Sequence, residues 1–225
     1  MKPYYVIGWS TMLRRIGKHL LPAVKSSVGT RSAFSTSTKA VASGLEVIDP
    51  SIGLTAEQAE FYQLARTFAD NELKPNAQKW DEEASFPLET YKKFADLGLA
   101  GIVVKDDVGG TGLSRLDNVT IIEALATGCV GTTAMLSIHN MCAGMIDKFG
   151  SEEQRQRFLP AMCKMELKAS YCLTEPGSGS DASSLITRAD FDAKTNEYVI
   201  NGGKAFISGA GTYVLYIYVA LMFDA

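Results

Sequence analysis

Hydrophobic periodicity changes abruptly at Met165, and that change limits the possible folds more than any other feature of the chain. From about Leu54 to Lys164 apolar residues recur at helical spacing, whereas from Ala169 onward the signals are short strands and turns. Helices first and strands afterwards, in blocks rather than in alternation, exclude a βαβ arrangement and predict the α+β class. The expected organisation is a helical domain over residues 46–165 followed by a β domain over residues 166–225.

Within the helical block, Thr55-Ala-Glu-Gln58 has the spacing of a capping box, in which Thr and Gln satisfy each other's backbone amides. Phe61, Leu64, Ala65 and Phe68 then share one face, and Pro75 is expected to end that helix because it lacks an N–H. Pro87 suits a first helical turn, and Leu88, Tyr91 and Ala95 form a stripe that stops at Gly98. Val108-Gly-Gly-Thr-Gly112 reads as loop. Asn118 to Thr127 is apolar almost all round, which predicts a buried helix. Met135, Ile138, Cys142, Met145 and Phe149 alternate three and four apart, a core-packing face that Gly150 closes. Ser151-Glu-Glu-Gln154 opens a further helix with a second capping box. His139 lies beside that face with no carboxylate or second His near it in sequence. It reads as a hydrogen-bonded helix residue rather than a ligand or base.

Charge is unevenly spread. Residues 1–45 hold seven Lys or Arg and no acid, together with the hydroxyl run Ser35-Thr36-Ser37-Thr38. This is the composition of an organellar transit peptide, assigned to residues 1–40 and set aside from the fold; the plain alternative is a disordered basic tail. The remainder carries 15 basic and 25 acidic residues, which argues against nucleic acid as a partner. No run of eighteen apolar residues is present, so no membrane span is expected. The four cysteines (129, 142, 163 and 172) form no CxxC pair and only two histidines accompany them. Neither a metal site nor a disulfide framework is expected, and the cysteines read as small buried hydrophobes.

In the β block, Ala169 to Leu173 reads as a short strand. Glu197-Tyr-Val-Ile, then Asn201-Gly202, then Lys204-Ala-Phe-Ile reads as a hairpin that turns at Asn-Gly. Between them, Tyr171-Cys-Leu-Thr-Glu-Pro-Gly-Ser-Gly-Ser-Asp181 is a strand end running into small residues and backbone donors. Phe206-Ile207-Ser208 follows 25 residues later. Gly177 to Ala182 fits the GxGxxA form of a dinucleotide fingerprint. That fingerprint needs a crossover helix and a parallel strand, and here a hairpin follows, so the Rossmann reading fails. The remaining plain alternative is a flexible turn. Together the two segments can set main-chain amides, hydroxyls and an aromatic face against a flat, partly anionic ligand such as a flavin.

Residues 171–181 and 202–208 resemble the flavin-binding segments of the acyl-CoA dehydrogenase family, and the likeness extends over almost all of residues 46–211. Gly112-Leu-Ser-Arg-Leu-Asp117, Glu123-Ala-Leu-Ala-Thr-Gly-Cys129 and Ser137-Ile-His-Asn-Met-Cys142 resemble members that act on short branched acyl-CoA thioesters. The resemblance implies FAD as cofactor, held by Tyr171, Cys172, Leu173, Thr174, Glu175, Pro176, Gly177, Ser178, Gly179, Ser180, Phe206, Ile207 and Ser208. Leu173 and Thr174 would meet the isoalloxazine. Gly179 and Ser180 would approach the flavin tail, with Ser180 also touching the pantetheine arm of the substrate. Phe206 would pack on the ring and Ser208 would bond its polar groups. Glu175 is read as structural within the loop. Met135 to Asn140 would line the bottom of the acyl pocket.

The implied chemistry is α,β-dehydrogenation of an acyl thioester. A carboxylate removes the α proton while the β hydrogen leaves as hydride, and polar contacts stabilise the enolate-like charge. Electron-transferring flavoprotein would take the electrons, in a homotetramer of the mitochondrial matrix. The family's base is a glutamate of a C-terminal helical domain, which a chain ending at Ala225 lacks, so no catalytic residue is assigned within it. The likeness stops near Gly211, which leaves the β domain incomplete and its edges unpaired. Two readings follow: a truncated acyl-CoA dehydrogenase, inactive alone, and a non-catalytic polypeptide able to associate with intact subunits. Within the enzyme reading, the alternatives are a sister dehydrogenase for another short or branched acyl-CoA and an acyl-CoA oxidase.

Overall fold

Three helices begin where a side chain closes the first turn. Thr55 and Gln58 cap α1 (Ala56–Phe68) reciprocally, Ser114 and Asp117 do the same for α4 (Arg115–Ala126), and Ser151 and Gln154 for α6 (Glu152–Cys163). Between them lie α2 (Lys74–Glu82), α3 (Leu88–Asp96) and α5 (Val130–Phe149). The computed structural model describes residues 5–6, 52–212 and 215–223.

Pro75 does not end the first helix. Residues Ala69–Leu73 widen into a π turn, in which the Lys74 N–H reaches the Ala69 carbonyl. Pro75 then falls in the first turn of α2, where its missing N–H costs nothing. Gly128 packs against this turn: a Cβ added there would lie 2.7 Å from the Ala69 carbonyl oxygen and 2.9 Å from the Leu73 Cβ.

One apolar cluster gathers Ala65, Leu73, Tyr91, Phe94, Ile121 and Leu125, with the Tyr91 hydroxyl donating to the Thr132 carbonyl at 2.8 Å. A second joins Cys142, Ala143 and Ile146 of α5 to Phe158, Leu159 and Met162 of α6, and to Ala169, Leu215 and Ile217 of the sheet. Several expected faces are shifted. Leu64 and Leu88 are exposed, and α4 is buried on one side only, with Leu116 and Val119 facing out. Of the stripe expected on α5, Cys142 alone is fully buried. Met135, Ile138, Met145 and Phe149 are half-buried, and the innermost line is Thr132, Leu136, His139, Ala143 and Ile146.

His139 on that line and Asn140 beside it are buried because each meets backbone. Asn140 accepts from the Ile102 N–H at 2.9 Å and donates to the Leu99 carbonyl at 2.8 Å, fixing the turn after α3. His139 is fully buried and hydrogen-bonded on both ring nitrogens, as the sequence suggested for a non-ligand. Cys142, Cys163 and Cys172 are buried, Cys129 is half-buried, and all four are free. Among the described residues no cluster of His, Cys, Asp and Glu could hold a metal, and no helix is long and apolar enough to cross a membrane.

The strands form two small sheets, so the class is α+β as expected. One sheet has the order β1 (Tyr5–Val6), β5 (Leu215–Tyr218), β2 (Ala169–Cys172), all parallel. The other has the order β4 (Glu197–Asn201), β3 (Arg188–Asp192), β6 (Leu221–Phe223), with β3–β4 antiparallel and β3–β6 parallel. The wholly antiparallel domain expected is therefore mixed. The excursion of some forty residues between β2 and β5 is long enough to bring the chain back in the same direction. Tyr5–Val6 belong to the basic segment set aside from the fold, yet they pair along the open side of β5. The rest of that segment lies outside the described residues.

The hairpin also differs. Its turn is residues 193–196, where Asn196 takes the left-handed conformation and Asp192 accepts from the Lys194 N–H. Asn201-Gly202 ends β4 instead of turning it. Gly202, at φ +154°, presses on Thr187, where an added Cβ would meet side chain and backbone at 2.4–2.8 Å.

Arg155 ties the helical layer together. Its guanidinium bonds both Asp107 oxygens at 2.7 and 2.9 Å, Asp147 at 2.9 Å and Glu152 at 2.7 Å. The Arg155 and Asp147 side chains are each 9% exposed. Replacing Arg155 with Ala should leave the enclosed Asp147 carboxylate without its partner and lower the urea midpoint at neutral pH.

Candidate functional site

Strand β2 ends at Cys172 and delivers the loop of residues 173–181. Glu175 and Ser178 exchange backbone hydrogen bonds at 2.9 and 3.1 Å, closing a two-residue turn with Pro176 and Gly177 at its exposed tip. The Ser178 hydroxyl donates to the Asp181 carbonyl at 2.6 Å. Ser183 and Ser184 donate to the Asp181 carboxylate, holding it below the usual carboxylate range. The segment after Asp181 is a short 3-10 turn (Ala182–Ser184) followed by β3, so the crossover helix of a dinucleotide fold is not there.

The loop is fastened by a buried ion pair. Lys204 Nζ lies 2.8 Å from Glu175 Oε1 and 2.9 Å from the Leu173 carbonyl. The Glu175 carboxylate also accepts from the Ile186 N–H at 2.7 Å and the Thr187 N–H at 3.0 Å. The two side chains are 2% and 5% exposed for Glu175 and Lys204. Burial by itself would raise the Glu175 pKa, but the Ile186 amide, the Lys204 ammonium and Thr187 outweigh it and hold the carboxyl down at about 2.

This clasp brings together the two segments singled out in the sequence. Lys204 reaches Leu173, and the Ala205 N–H donates to the Thr174 carbonyl at 2.9 Å, so Phe206, Ile207 and Ser208 follow directly beside Leu173 and Thr174. Residues 204–207 do this as irregular backbone rather than as a strand. Phe206 is 94% exposed and sits in the left-handed conformation at φ +56°, unusual on both counts for a phenylalanine. Residue by residue, the thirteen positions separate. Pro176, Gly177, Gly179, Ser180 and Phe206 are exposed; Leu173, Thr174, Ile207 and Ser208 are half-buried. Tyr171 is half-buried on β2 and packs against the second core cluster, while Cys172 is buried and its thiol is pushed up to about 11 by burial. Glu175 and Ser178 turn inward to hold the loop. Sequence reading missed Lys204 and Thr187, because nothing in a lone Lys or Thr near a strand end signals a buried partner.

Whether this surface suits a flavin can be tested on the glycines. A Cβ added at Gly177 or Gly179 meets nothing within 4 Å, and neither residue has a left-handed φ. The chain's own packing therefore does not require glycine there, whereas close approach of an external molecule would. The N–H groups of Gly177, Gly179 and Ser180 find no acceptor among the described residues and are free to meet one. The residues present fit an FAD lying along the loop, with Phe206 as a flat apolar surface.

A separate cavity of about 520 Å³ opens between α2, α3 and the α4–α5 junction, walled by Trp80, Phe86, Tyr91, Cys129, Thr132 and Met135. Of the residues 135–140 expected to line an acyl pocket, only Met135 reaches this cavity. Leu136, His139 and Asn140 are buried in the core, His139 and Asn140 bonded to backbone there.

Replacing Glu175 with Gln should leave the Lys204 ammonium buried without its counter-charge and cost roughly 3–5 kcal/mol by urea unfolding. The wild-type pair sets a direction for pH as well. The folded pKa of about 2 lies below the roughly 4.3 of an unfolded glutamate, so its contribution is complete above that value. It is lost as pH falls from about 5 toward 2, and the Gln variant should lack that part of the acid slope.

Comparison with known proteins places this geometry. The family model "Acyl-CoA dehydrogenase, N-terminal domain" matches residues 55–166, and "Acyl-CoA dehydrogenase, middle domain" matches residues 170–224, so the likeness runs past Gly211, where the sequence reading had it stop. The mitochondrial isobutyryl-CoA dehydrogenase of Bos taurus is 56% identical over 170 residues, which are 76% of this chain and 40% of that protein. Butyryl-CoA dehydrogenase from Megasphaera elsdenii superposes with a TM-score of 0.69 at 31% identity, over 76% of this chain and 45% of that one. A glutaryl-CoA dehydrogenase from Mycobacterium smegmatis, solved with FADH2, gives 0.70 at 27% identity, over 75% and 43%. The chain thus spans less than half the length of these relatives. With both domain models matched in order and the same fold beneath them, it belongs to the acyl-CoA dehydrogenase family.

Proposed function

We propose that this chain supplies the helical side and the flavin loop of an FAD-dependent enzyme that dehydrogenates a short branched acyl-CoA. On this reading isobutyryl-CoA goes to methacrylyl-CoA, in valine breakdown in the mitochondrial matrix. The observation that carries the reading is the loop itself. It is pinned from beneath by Glu175 and Lys204, yet it presents glycines with open space above them next to an exposed aromatic. FAD, when bound, accepts the hydride lost from the β carbon. The chain's part is to hold it: the amides of Gly177, Gly179 and Ser180 donate to its polar atoms, Phe206 covers the ring, and Thr174 and Ser208 offer hydroxyls. Ser180 also meets the pantetheine arm. The cavity beside Met135 takes the branched acyl end.

The base is assigned outside these 225 residues. The two carboxylates of the loop are both committed, Glu175 to Lys204 and Asp181 to its serines. The same observation favours, as a second reading, a chain without activity of its own that associates with intact subunits. Electron-transferring flavoprotein as acceptor and a homotetrameric assembly belong to the proposal.

The test is to exchange the matched 170 residues of the bovine relative for those of this chain and to measure bound flavin and isobutyryl-CoA turnover with an artificial electron acceptor. A yellow, active chimera is expected; a folded chimera without flavin would overturn the proposal. In that chimera, Gly179→Val should change the melting temperature little, since its Cβ has room, while weakening FAD binding at least about tenfold. Met135→Ala should broaden the acyl-chain preference toward longer substrates, seen in kcat/KM across a chain-length series, and an unchanged profile would remove Met135 from the acyl pocket.

A further inference from the structure

Strand β2 lies at the edge of its sheet and has β5 on one side only. An edge amide facing a protein interior must find a partner other than a strand, or remain buried and unsatisfied. The first amide of β2, that of Ala169, is in this position. Ala169 is fully buried, and its N–H is directed at the Nδ1 atom of His139, 3.3 Å away on α5, thirty residues earlier. The other ring nitrogen, Nε2, lies 3.2 Å from the Met162 carbonyl near the end of α6. Both contacts are satisfied at once by the neutral ring with its hydrogen on Nε2: it donates to Met162 and accepts from Ala169. Burial pushes the ring's pKa down to about 4, which keeps that form at ordinary pH.

One imidazole therefore joins the helix it stands on, the end of α6 and the first residue of the strand that becomes the flavin loop, with the Ala100 backbone as a further hydrogen-bonding neighbour. Ala169 is four residues from Leu173 and five from Thr174, the points at which Lys204 and Ala205 attach the second flavin segment. A shift of β2 along its axis would move both attachment points with it.

We infer that His139 is a positioning residue, which sets the height of β2 against the helical domain and so the placement of the loop of residues 173–181. This rests on the flavin reading only for its consequence, not for its geometry. The contact with Ala169 is the one that matters for placement, and two amides separate it from the contact with Met162. In the His139→Asn variant the side-chain oxygen falls near the Nδ1 position and can accept from Ala169. In the His139→Gln variant the amide falls near the Nε2 position and keeps only Met162.

The experiment is amide hydrogen exchange on the full chain, with FAD titrated separately by fluorescence quenching. For His139→Leu, exchange in residues 169–180 should rise about tenfold while residues 115–126 of α4 are unchanged. Asn should restore protection and Gln should not. Uniform loss of protection, or rescue by Gln equal to that by Asn, would overturn the inference and leave His139 as general core packing. Where the wild-type chain binds FAD, Leu should weaken that binding about tenfold and Asn should recover it; unchanged affinity in Leu would also overturn the inference. Should the wild-type chain alone bind no FAD, the flavin reading is decided by the chimera, and the exchange pattern alone decides the role of His139.

Discussion

The loop exists in its observed shape because one carboxylate and one ammonium are buried together. Glu175 and Lys204 are too enclosed to be held by solvent, and each is the other's counter-charge. Each also satisfies backbone: Glu175 takes the Ile186 and Thr187 amides, and Lys204 takes the Leu173 carbonyl. The pair therefore joins the end of β2, the entry to β3 and the segment after β4. The outer surface of the loop is free of structural duty as a result. Its glycines and hydroxyls can be shaped for a ligand because the inner residues Glu175, Ser178 and Lys204 hold the chain.

The helical domain is organised on a similar principle. Its central helix, α5, does not bury a simple apolar stripe. It places Thr132, His139 and Asn140 among Leu136, Ala143 and Ile146, and His139 and Asn140 bond the backbone of neighbouring segments. Asn140 fixes the turn after α3 on one side, and His139 reaches the sheet on the other. Arg155 does on the outside, with three carboxylates, what Asn140 does within. A single long helix thus serves as the reference against which loop, turn and strand are all aligned.

Much of this was legible in the chain. Capping boxes at Thr55 and Ser151, the stop at Gly150 and the shift from helical to strand period are local signals, and the structure follows them. What could not be read is what depends on distant partners. The inner line of α5 was displaced because histidine and asparagine count as surface in a hydrophobic pattern, although buried backbone can satisfy them. Asn201-Gly202 has turn chemistry, but Gly202 is spent on close approach to Thr187. Parallel return of β5 and β6 leaves no local mark at all. In the loop the pattern of small residues marked the stretch that Glu175 and Lys204 fasten. It could not separate the inward Glu175 and Ser178 from the outward Gly179 and Ser180, because that division is made by Lys204, which is 29 residues away from Glu175.

The π turn at Ala69–Leu73 and Gly128 are complementary shapes. The widened turn pushes the Ala69 carbonyl outward, and the one residue without a side chain receives it. Neither can change alone. Losing one residue from the turn would restore an even α-helix and carry Pro75 out of its tolerated first turn. Adding a methyl at Gly128 would push the α4–α5 junction off the helix, and with it Cys129 and Thr132 from the wall of the cavity. The two positions therefore constrain each other: the width of the turn sets how much room residue 128 has, and the size of residue 128 sets how far the turn can widen.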